Sequence, residues 1–508
     1  MQQYSATRGQ ILKLLEAEGD TSQESIKRVS EATGVPEADV YGTARFYDLI
    51  VRPGPRVCQG LSCLMAGTEE LCEELTDAGI SFHRVSCLGQ CDRAPVALDG
   101  QMTLTHCGPK GGISPDSSEL AMNLAGAEDL NYPALALARK NGAEWVAEQL
   151  ESSGLQGRGG AGFPAHFKWN AVRKESGPTK YVICNADEAE PGTFKDRELM
   201  SRRPHLVIEG LAIAAFCIDA TDIYLYVRGE FPGPGHSLEQ AIKEAAQHLG
   251  DFNFHMVHGH GAYICGEETA LIESIEGKRG MPRLKPPYPT QEGLFGKPTL
   301  MNNVETLACL HSVLCRGGDW FAGLGKTEPG TKLYCISGHV QSPGVYELPL
   351  GVSLDELVQA AGGYVGNPMA FSPGGASSGF LPISERDRPL DFRGLPEIGS
   401  MLGSAGAVVI NDTVDMAWAA RWQTVFFEDE TCGQCAPCRI GVRYVRRALD
   451  QFIEDGDSSH LDHLNDVAWE MAEGSICGLG MTAALPARSA MQHFPQGFSR
   501  DGEESHDG

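Results

Sequence analysis

The chain has 508 residues, too many for one hydrophobic core, and an apolar fraction of 42% that suits a water-soluble fold. Forty-one basic against sixty-seven acidic residues leave a net charge of −26, which argues against nucleic acid or an anionic membrane as the main partner, because both demand basic surface. No apolar run approaches the length of a membrane span and MQQYSATRGQILKLLEAEG holds no continuous apolar signal region, so a cytoplasmic location is expected; of the sixteen cysteines, eight fall in two patterned groups suited to metal or redox roles, and the other eight, Cys107 among them, are scattered, mostly as small buried hydrophobes.

Residues 8–48 read as short helices: ILKLLEAEG and SIKRVSEATG carry apolar residues at helical spacing and stop at glycine, and VPEADVYGTARFYDLI follows. RPGPRV breaks that pattern and opens a small α/β unit, with a strand, the helix TEELCEELTDAG, the strand SFHRVS and a further strand in VALDGQMTLTH. Its cysteines are paired. CQGLSC separates Cys58 from Cys63 by four residues, and CLGQC separates Cys87 from Cys91 by three. Each pair follows a strand, so two loops at one end of a small sheet can meet, and two pairs of thiols suit a [2Fe–2S] cluster with one pair per iron. Zinc, or two redox disulfides, would use the same spacing. KGGISPDSSEL then reads as a linker.

A larger α/β region follows from about 131 to 328, with YVICNA and DIYLYVRG as strands and LVIEGLAIAAFCI as a helix. GLQGRGGAGFPAHFKW matches the dinucleotide fingerprint by letter, but the amphipathic helix pattern AEWVAEQLESSG precedes it where a strand is required, so a Rossmann unit is excluded. Glycines still let backbone N–H groups approach a phosphate, and Arg158 or Lys168 can add charge; a plain glycine-rich surface loop is the alternative. CNADEAEPGTFKDR gathers Asp187, Glu188, Glu190 and Asp196, suited to the hydroxyls of a ribityl or ribose group, or merely solvated. Gly266, Glu267 and Glu268 stand at a helix start, where capping would equally account for the acids. Tyr288 follows a Pro-rich turn, and Asn302 with Asn303 offers donors and acceptors for a flavin or nicotinamide edge, or ordinary turn chemistry.

KLYCISGHVQSPGVYELPLGVSLDELVQAAGG reads as strand, turn, strand and helix, opening a β-rich insert, and 413–492 are mostly helical. Within that last region TCGQCAPCRIG places Cys432, Cys435 and Cys438 at a doubled C-x-x-C spacing, with Cys477 of SICGLG as a distant fourth thiol. Four such thiolates suit an Fe–S cluster or structural zinc, and spacing alone leaves both open. The polar tail 496–508 is expected to be disordered.

Taken together, VYGTARFYDLI, VCQGLSCLMAG and SCLGQCDRAPVALDG resemble the thioredoxin-like [2Fe–2S] subunit of the NADH-oxidising module of respiratory complex I. From about 131 to 495 the motifs resemble the flavin- and NADH-binding subunit of the same module. The resemblance implies an α/β multidomain chain. Its parts would be a helical segment (1–50), a thioredoxin-like [2Fe–2S] domain (51–112), a non-Rossmann FMN/NAD(H) domain (131–328), a ubiquitin-like β-grasp (SLBB) domain (329–400) and a helical [4Fe–4S] domain (401–495). It assigns Cys58, Cys63, Cys87 and Cys91 to the [2Fe–2S] cluster, and Cys432, Cys435, Cys438 and Cys477 to the [4Fe–4S] cluster. Gly159, Lys168, Asn185, Asp187, Gly266, Glu267, Glu268, Asn302 and Asn303 become FMN contacts; Phe163, Glu190 and Tyr288 become NAD(H) contacts. Ala436 replaces a more usual hydroxyl residue beside the cluster, and the segment between the first cysteine pairs is shorter than in relatives.

The fusion of both subunits in one chain resembles the diaphorase subunit of NAD-dependent formate dehydrogenases. Hydride would then pass between NAD(H) and FMN, and electrons would run to or from a molybdenum or tungsten partner subunit carrying further Fe–S clusters. NAD-linked hydrogenases and some complex I variants share the fusion, so the equivalent NADH-oxidising subunit of an NAD-linked hydrogenase or complex I-type NADH dehydrogenase is the alternative. A zinc-bearing binding module without redox activity is the reading from a different class.

Overall fold

The structure is a computed structural model and describes residues 10–51, 54–100, 102–105 and 111–499. Three sheets organise it. The first has the order β2-β1-β3-β4, with β1 Arg56–Cys58, β2 His83–Val85, β3 Val96–Asp99 and β4 Met102–Thr105. The segment VALDGQMTLTH, expected as one strand, is an antiparallel hairpin of β3 and β4, because Gly100 takes a positive φ that turns the chain between them.

The KGGISPDSSEL stretch is not a free linker. Gly112–Ile113 (β5) pairs with Gly344–Pro349 (β11), and the buried Glu347 carboxylate accepts the N–H groups of Ala121, Met122 and Asn123. Three backbone donors on one carboxylate pin the crossing to the third sheet.

The second sheet is wholly parallel, in the order β8-β7-β6-β9, with β6 Tyr181–Ala186, β7 Asp222–Val227, β8 Asn253–His258 and β9 Thr299–Asn303. Parallel strands must be covered on both faces. One face is covered through the helix Pro204–Ile218, which is buried at nearly every position and apolar apart from His205 and Glu209. The other packs on the N-terminal helices, whose Ile11, Leu15, Val29, Val40 and Tyr47 join Ile183, Tyr226 and Met301. After β8 the chain returns across β6 to place β9 on its far side, setting Asn185 beside Asn303 and Cys184 beside Asn302. The carboxyl ends of β6 and β9 thus flank the point where strand order reverses, where open α/β sheets leave a crevice.

The third sheet has the order β13-β12-β14-β10-β11-β5, with β10 Thr331–Gly338, β12 Pro368–Ser372, β13 Leu381–Pro382 and β14 Gly406–Asn411. β14 lies between β10 and β12, parallel to the first and antiparallel to the second. The β-grasp insert therefore runs past residue 400 to Asn411: GAVVIN is buried along its whole length and needs neighbours on both edges.

The helices Met416–Glu430, Ala436–Asp455, Leu464–Gly474, Gly478–Thr482 and Leu485–His493 close the chain. The disorder expected from 496 does not hold at its start, since Pro495–Phe498 makes a 3-10 turn and the buried Phe498 stacks on Phe452 at 5.8 Å. Residues 500–508 of that tail, and Cys107, lie outside the described residues. No described helix is long and apolar enough to cross a membrane.

Candidate functional site: a nucleotide cavity between two cysteine sets

Two adjoining cavities of about 690 and 620 Å³ open at the carboxyl end of the parallel sheet and share Gly159, Asn185, Gly266, Glu267 and Asn303. The larger is also lined by Phe163, Lys168, Glu268, Tyr288 and Asn302, the other by Asp187 and Glu190. All twelve residues expected at a flavin–nucleotide site therefore line one continuous space. The glycine loop enters it directly from the helix Ala143–Ser153, as the failed fingerprint requires. A Cβ at Gly159 would lie 3.0 Å from the Cβ of Asn303, so glycine is what keeps this wall open.

Charge at the rim is arranged in pairs. Lys168 Nζ lies 2.9 Å from Glu268 Oε2, and Lys285 Nζ lies 2.9 Å from Glu267 Oε1 and 2.8 Å from Glu268 Oε1. Burial alone would raise the Glu268 pKa, but Lys168 and Lys285 overcome it and hold the group down at about 2. Glu267 has the capping role weighed against ligand binding: it is the N-cap of Glu268–Ile275 and accepts from Thr269 N and Ala270 N. Asn185 donates to the Gly266 carbonyl at 2.8 Å, joining the strand end to that helix start.

The acidic run separates into distinct jobs. Glu188 caps the helix Lys195–Arg202 by accepting from Asp196 N at 2.9 Å and Arg197 N at 3.0 Å. Asp196 pairs with the buried Lys195 at 2.7 Å and accepts from Asn303 Nδ2 at 2.6 Å. Asn303 also caps its own helix through Glu305 N, and Asn302 Oδ1 accepts from Trp169 Nε1 at 3.0 Å, so turn and core chemistry occupy much of both asparagines. Glu190 accepts from the Tyr263 hydroxyl and from Ser377 N at 2.7 Å, and burial raises its pKa. Asp187 alone among these acids keeps a buried oxygen, Oδ2, without a protein partner. Burial pushes its carboxyl well above the usual range against the opposing pull of Arg228. A cavity-lining group left unsatisfied in this way fits a bound hydroxyl or N–H.

Arg158 does not supply charge here. It is fully buried, its N–H bonds Thr306 and its Nη2 bonds the Pro329 carbonyl, whereas Lys168, on the helix Ala165–Lys174 that follows the loop, lines the larger cavity. Sequence reasoning missed Phe167, Lys285 and Tyr263. Phe167, Phe163 and Tyr288 are 60%, 56% and 52% exposed at the larger cavity, three rings on which a planar base could stack, Phe167 with the His166 ring against it at 4.1 Å. The available signal was FPAHFKW, which sets a second phenylalanine just after the glycine loop, Phe167 on the helix Ala165–Lys174.

Cys58, Cys63, Cys87 and Cys91 are all buried, and their thiols run in a chain, Cys63 beside Cys58, Cys58 beside Cys87 and Cys87 beside Cys91. Gly60 N and Gly89 N each donate to a cysteine sulfur at 3.4 Å, and the Gly192 backbone bonds Cys91. Such N–H···S donors suit thiolates that carry cluster charge. Two arginines from the neighbouring domain clasp this loop. Arg197 forms a bidentate pair with Asp92 at 2.9 and 2.8 Å and bonds the Gly89 carbonyl, while Arg228 bonds the Cys87 and Glu188 carbonyls.

In the second set Cys435 is the N-cap of Ala436–Asp455, Cys438 lies in its first turn, and Cys477 is the N-cap of Gly478–Thr482. Thr431 Oγ1 lies 3.0 Å from Cys438 Sγ, and burial lifts the Cys438 thiol to about 12 and the Cys477 thiol to about 11. A bound metal centre would have to reverse both values, as ligation does for thiols. Cys432 and Cys435 are partly exposed. Gly478, Leu479 and Met481 line the smaller cavity, so the helix capped by Cys477 forms part of the nucleotide wall. Among the described residues no three His, Cys, Asp or Glu side chains close on one point as a single metal ion needs.

Models of four families match in chain order: a thioredoxin-like [2Fe–2S] ferredoxin at 1–111, the Nuo51 FMN-binding domain at 150–312, the SLBB domain at 333–381 and the NADH-ubiquinone oxidoreductase-F iron–sulfur binding region at 418–501. The second form of the NADH-quinone oxidoreductase F subunit in Rhizobium meliloti (strain 1021) is 47% identical over 377 residues, covering 71% of this chain and 89% of its own length. The chain belongs to the family of NADH-quinone oxidoreductase F subunits. The corresponding protein of Rickettsia felis is 43% identical over 70% of the chain and 87% of its own. An FMN-binding domain, a [2Fe–2S] domain and a [4Fe–4S] domain are thus joined in one polypeptide. A chain of an NAD+-reducing [NiFe]-hydrogenase in its H2-reduced state has the same arrangement over 98% of this chain and 93% of its own length, with a TM-score of 0.88 and 29% identity. The air-oxidised state covers 96% and 93%, with a TM-score of 0.88 and 31% identity.

Proposed function

We propose that this chain is the NADH-oxidising diaphorase subunit of a cytoplasmic NAD-linked dehydrogenase, exchanging hydride between NAD(H) and FMN and relaying single electrons to or from a partner subunit. The observation that carries this reading is one continuous cavity flanked by two cysteine sets of different burial. A bound FMN supplies the chemistry that joins a two-electron hydride donor to one-electron clusters. Gly159, Lys168, Asn185, Asp187, Gly266, Glu267, Glu268, Asn302 and Asn303 hold it: the glycine loop admits it, Lys168 sits at the rim to meet phosphate charge, and Asp187 Oδ2 meets a polar group inside. Phe163 and Tyr288 present rings to NAD(H), and Tyr263 with Ser377 fixes Glu190 beside it. Cys58, Cys63, Cys87 and Cys91 ligate the [2Fe–2S] cluster; Cys432, Cys435, Cys438 and Cys477 ligate the [4Fe–4S] cluster. Reconstituted chain should be brown, contain flavin and reduce ferricyanide from NADH. A colourless zinc protein without flavin would refute the assignment.

For the partner we propose the molybdenum- or tungsten-bearing catalytic subunit of a formate dehydrogenase, on the strength of the fused architecture. A second reading, an NAD-linked hydrogenase, draws support from the hydrogenase chain that matches nearly the whole length. The complex purified with its natural partner decides between them: formate with NAD+ yields NADH in the first case, and hydrogen with NAD+ does so in the second.

A further inference from the structure

Three segments that each carry one redox site meet at a single side chain. Glu430 ends the helix Met416–Glu430, immediately before the loop that opens with Thr431 and Cys432. Its Oε1 accepts from the hydroxyl of Ser86, the residue before Cys87 in the other cysteine set. Its Oε2 accepts from the backbone N–H of Tyr263 at 2.9 Å, and Tyr263 lines the smaller cavity and holds Glu190. Thr431, next in sequence, contacts the sulfur of Cys438. Glu230 and Arg228 act on Glu430 with opposite sign, and Arg228 also bonds the Cys87 carbonyl. A carboxylate accepting two bonds from two separate segments is a joint between them, since its two oxygens fix both donors and the contact is partly buried.

We propose that Glu430 is the positioning residue that holds the [2Fe–2S] loop, the [4Fe–4S] loop and the nucleotide-cavity wall in one fixed relation. A change at this joint is then felt at both clusters at once. Glu430 touches no ligand sulfur, and its effect passes through Ser86 and Tyr263 on one side and through Thr431 on the other. A side chain serving only its own loop would leave the distant cluster alone. This rests on the cluster assignments above, so wild-type iron and flavin content is measured first; failure there is failure of those assignments and not of the joint.

The test uses the full chain loaded with flavin and iron, in the variants Glu430→Gln and Ser86→Ala, with midpoint potentials of both clusters followed by EPR. Glu430→Gln keeps the shape and removes one acceptor, and is expected to shift both midpoints while iron and flavin stay at wild-type levels. Ser86→Ala, on the [2Fe–2S] side, is expected to move the [4Fe–4S] signal in the same direction as Glu430→Gln. If Glu430→Gln alters only the [4Fe–4S] signal, or Ser86→Ala only the [2Fe–2S] signal, the joint is overturned. Unchanged potentials at both clusters in both variants overturn it equally. Should Glu430→Gln lose a cluster outright, Ser86→Ala, which deletes one partly buried hydroxyl and no charge, still decides the question.

Discussion

The two cysteine sets differ in burial more than in chemistry. Cys58, Cys63, Cys87 and Cys91 are 3% exposed or less and sit between two domains, clasped by Arg197 and Arg228. Cys432 and Cys435 are partly exposed at the end of a helical unit. Protein interior surrounds the first set, whereas two of the four cysteines of the second reach the surface. On the function proposed above, the first site would be a side position and the second the exit to a partner.

The largest effect that sharpens this contrast is loss of one ligand at each site. Cys477→Ala should abolish NADH-driven reduction of the partner subunit while NADH still bleaches the flavin in stopped-flow spectra. Cys91→Ala should leave partner reduction measurable. Equal loss in both variants would erase the distinction. Next in size is Arg197→Ala, which removes the bidentate partner of the buried Asp92 and leaves it Arg93 at 3.5 Å; breaking a buried pair costs about 3–5 kcal/mol, and the remaining arginine places this one at the lower end. Denaturant unfolding should show that loss together with disappearance of the [2Fe–2S] signal, and the [4Fe–4S] signal should persist until global unfolding.

Lys168→Met acts on the shared cavity and should not discriminate between the sites. Loss of one charge-assisted contact, worth about 1.5–3 kcal/mol, should weaken FMN binding roughly 10- to 100-fold in fluorescence titration of the flavin-free protein. Glu268 gives a pH signature for the same rim. Its folded pKa is held down at about 2, below the unfolded value of about 4.3, so its stabilising contribution is present above about 4.3 and lost as pH falls toward 2. The stability gap between wild type and Glu268→Gln should thus be widest near neutrality and close progressively on acidification. The smallest effect is expected for Phe167→Ala, a rise of roughly 2- to 10-fold in the KM for NADH with little change in kcat, since stacking adds about 0.5–1.5 kcal/mol.

Features written in local pattern were legible from the sequence, and those made by distant contacts were not. YVICNA forms its strand, both early helices stop at Gly19 and Gly34, and the spacing of the first cysteine set brings its thiols together. Resemblance placed twelve residues on one cavity, where spacing alone left each with a bland alternative; for Glu267 and Asn303 the capping alternative is also true. Arg158 misled because a cation in a glycine loop looks like a phosphate ligand, yet Thr306 and Pro329 turn it inward. The anchoring of 121–123 by Glu347, the central place of β14, and the clasp of Arg197 on Asp92 join residues roughly one hundred or more apart, or depend on sheet order, which no local periodicity encodes.

The most direct test of a single cavity feeding two unlike clusters is anaerobic EPR of the cofactor-loaded chain during stepwise addition of NADH. Flavin bleaching should be accompanied by the [4Fe–4S] signal, with the [2Fe–2S] signal responding to the same donor under lower potential. Bleaching of the flavin with no paramagnetic cluster at any NADH level would contradict the connection between cavity and cysteine sets.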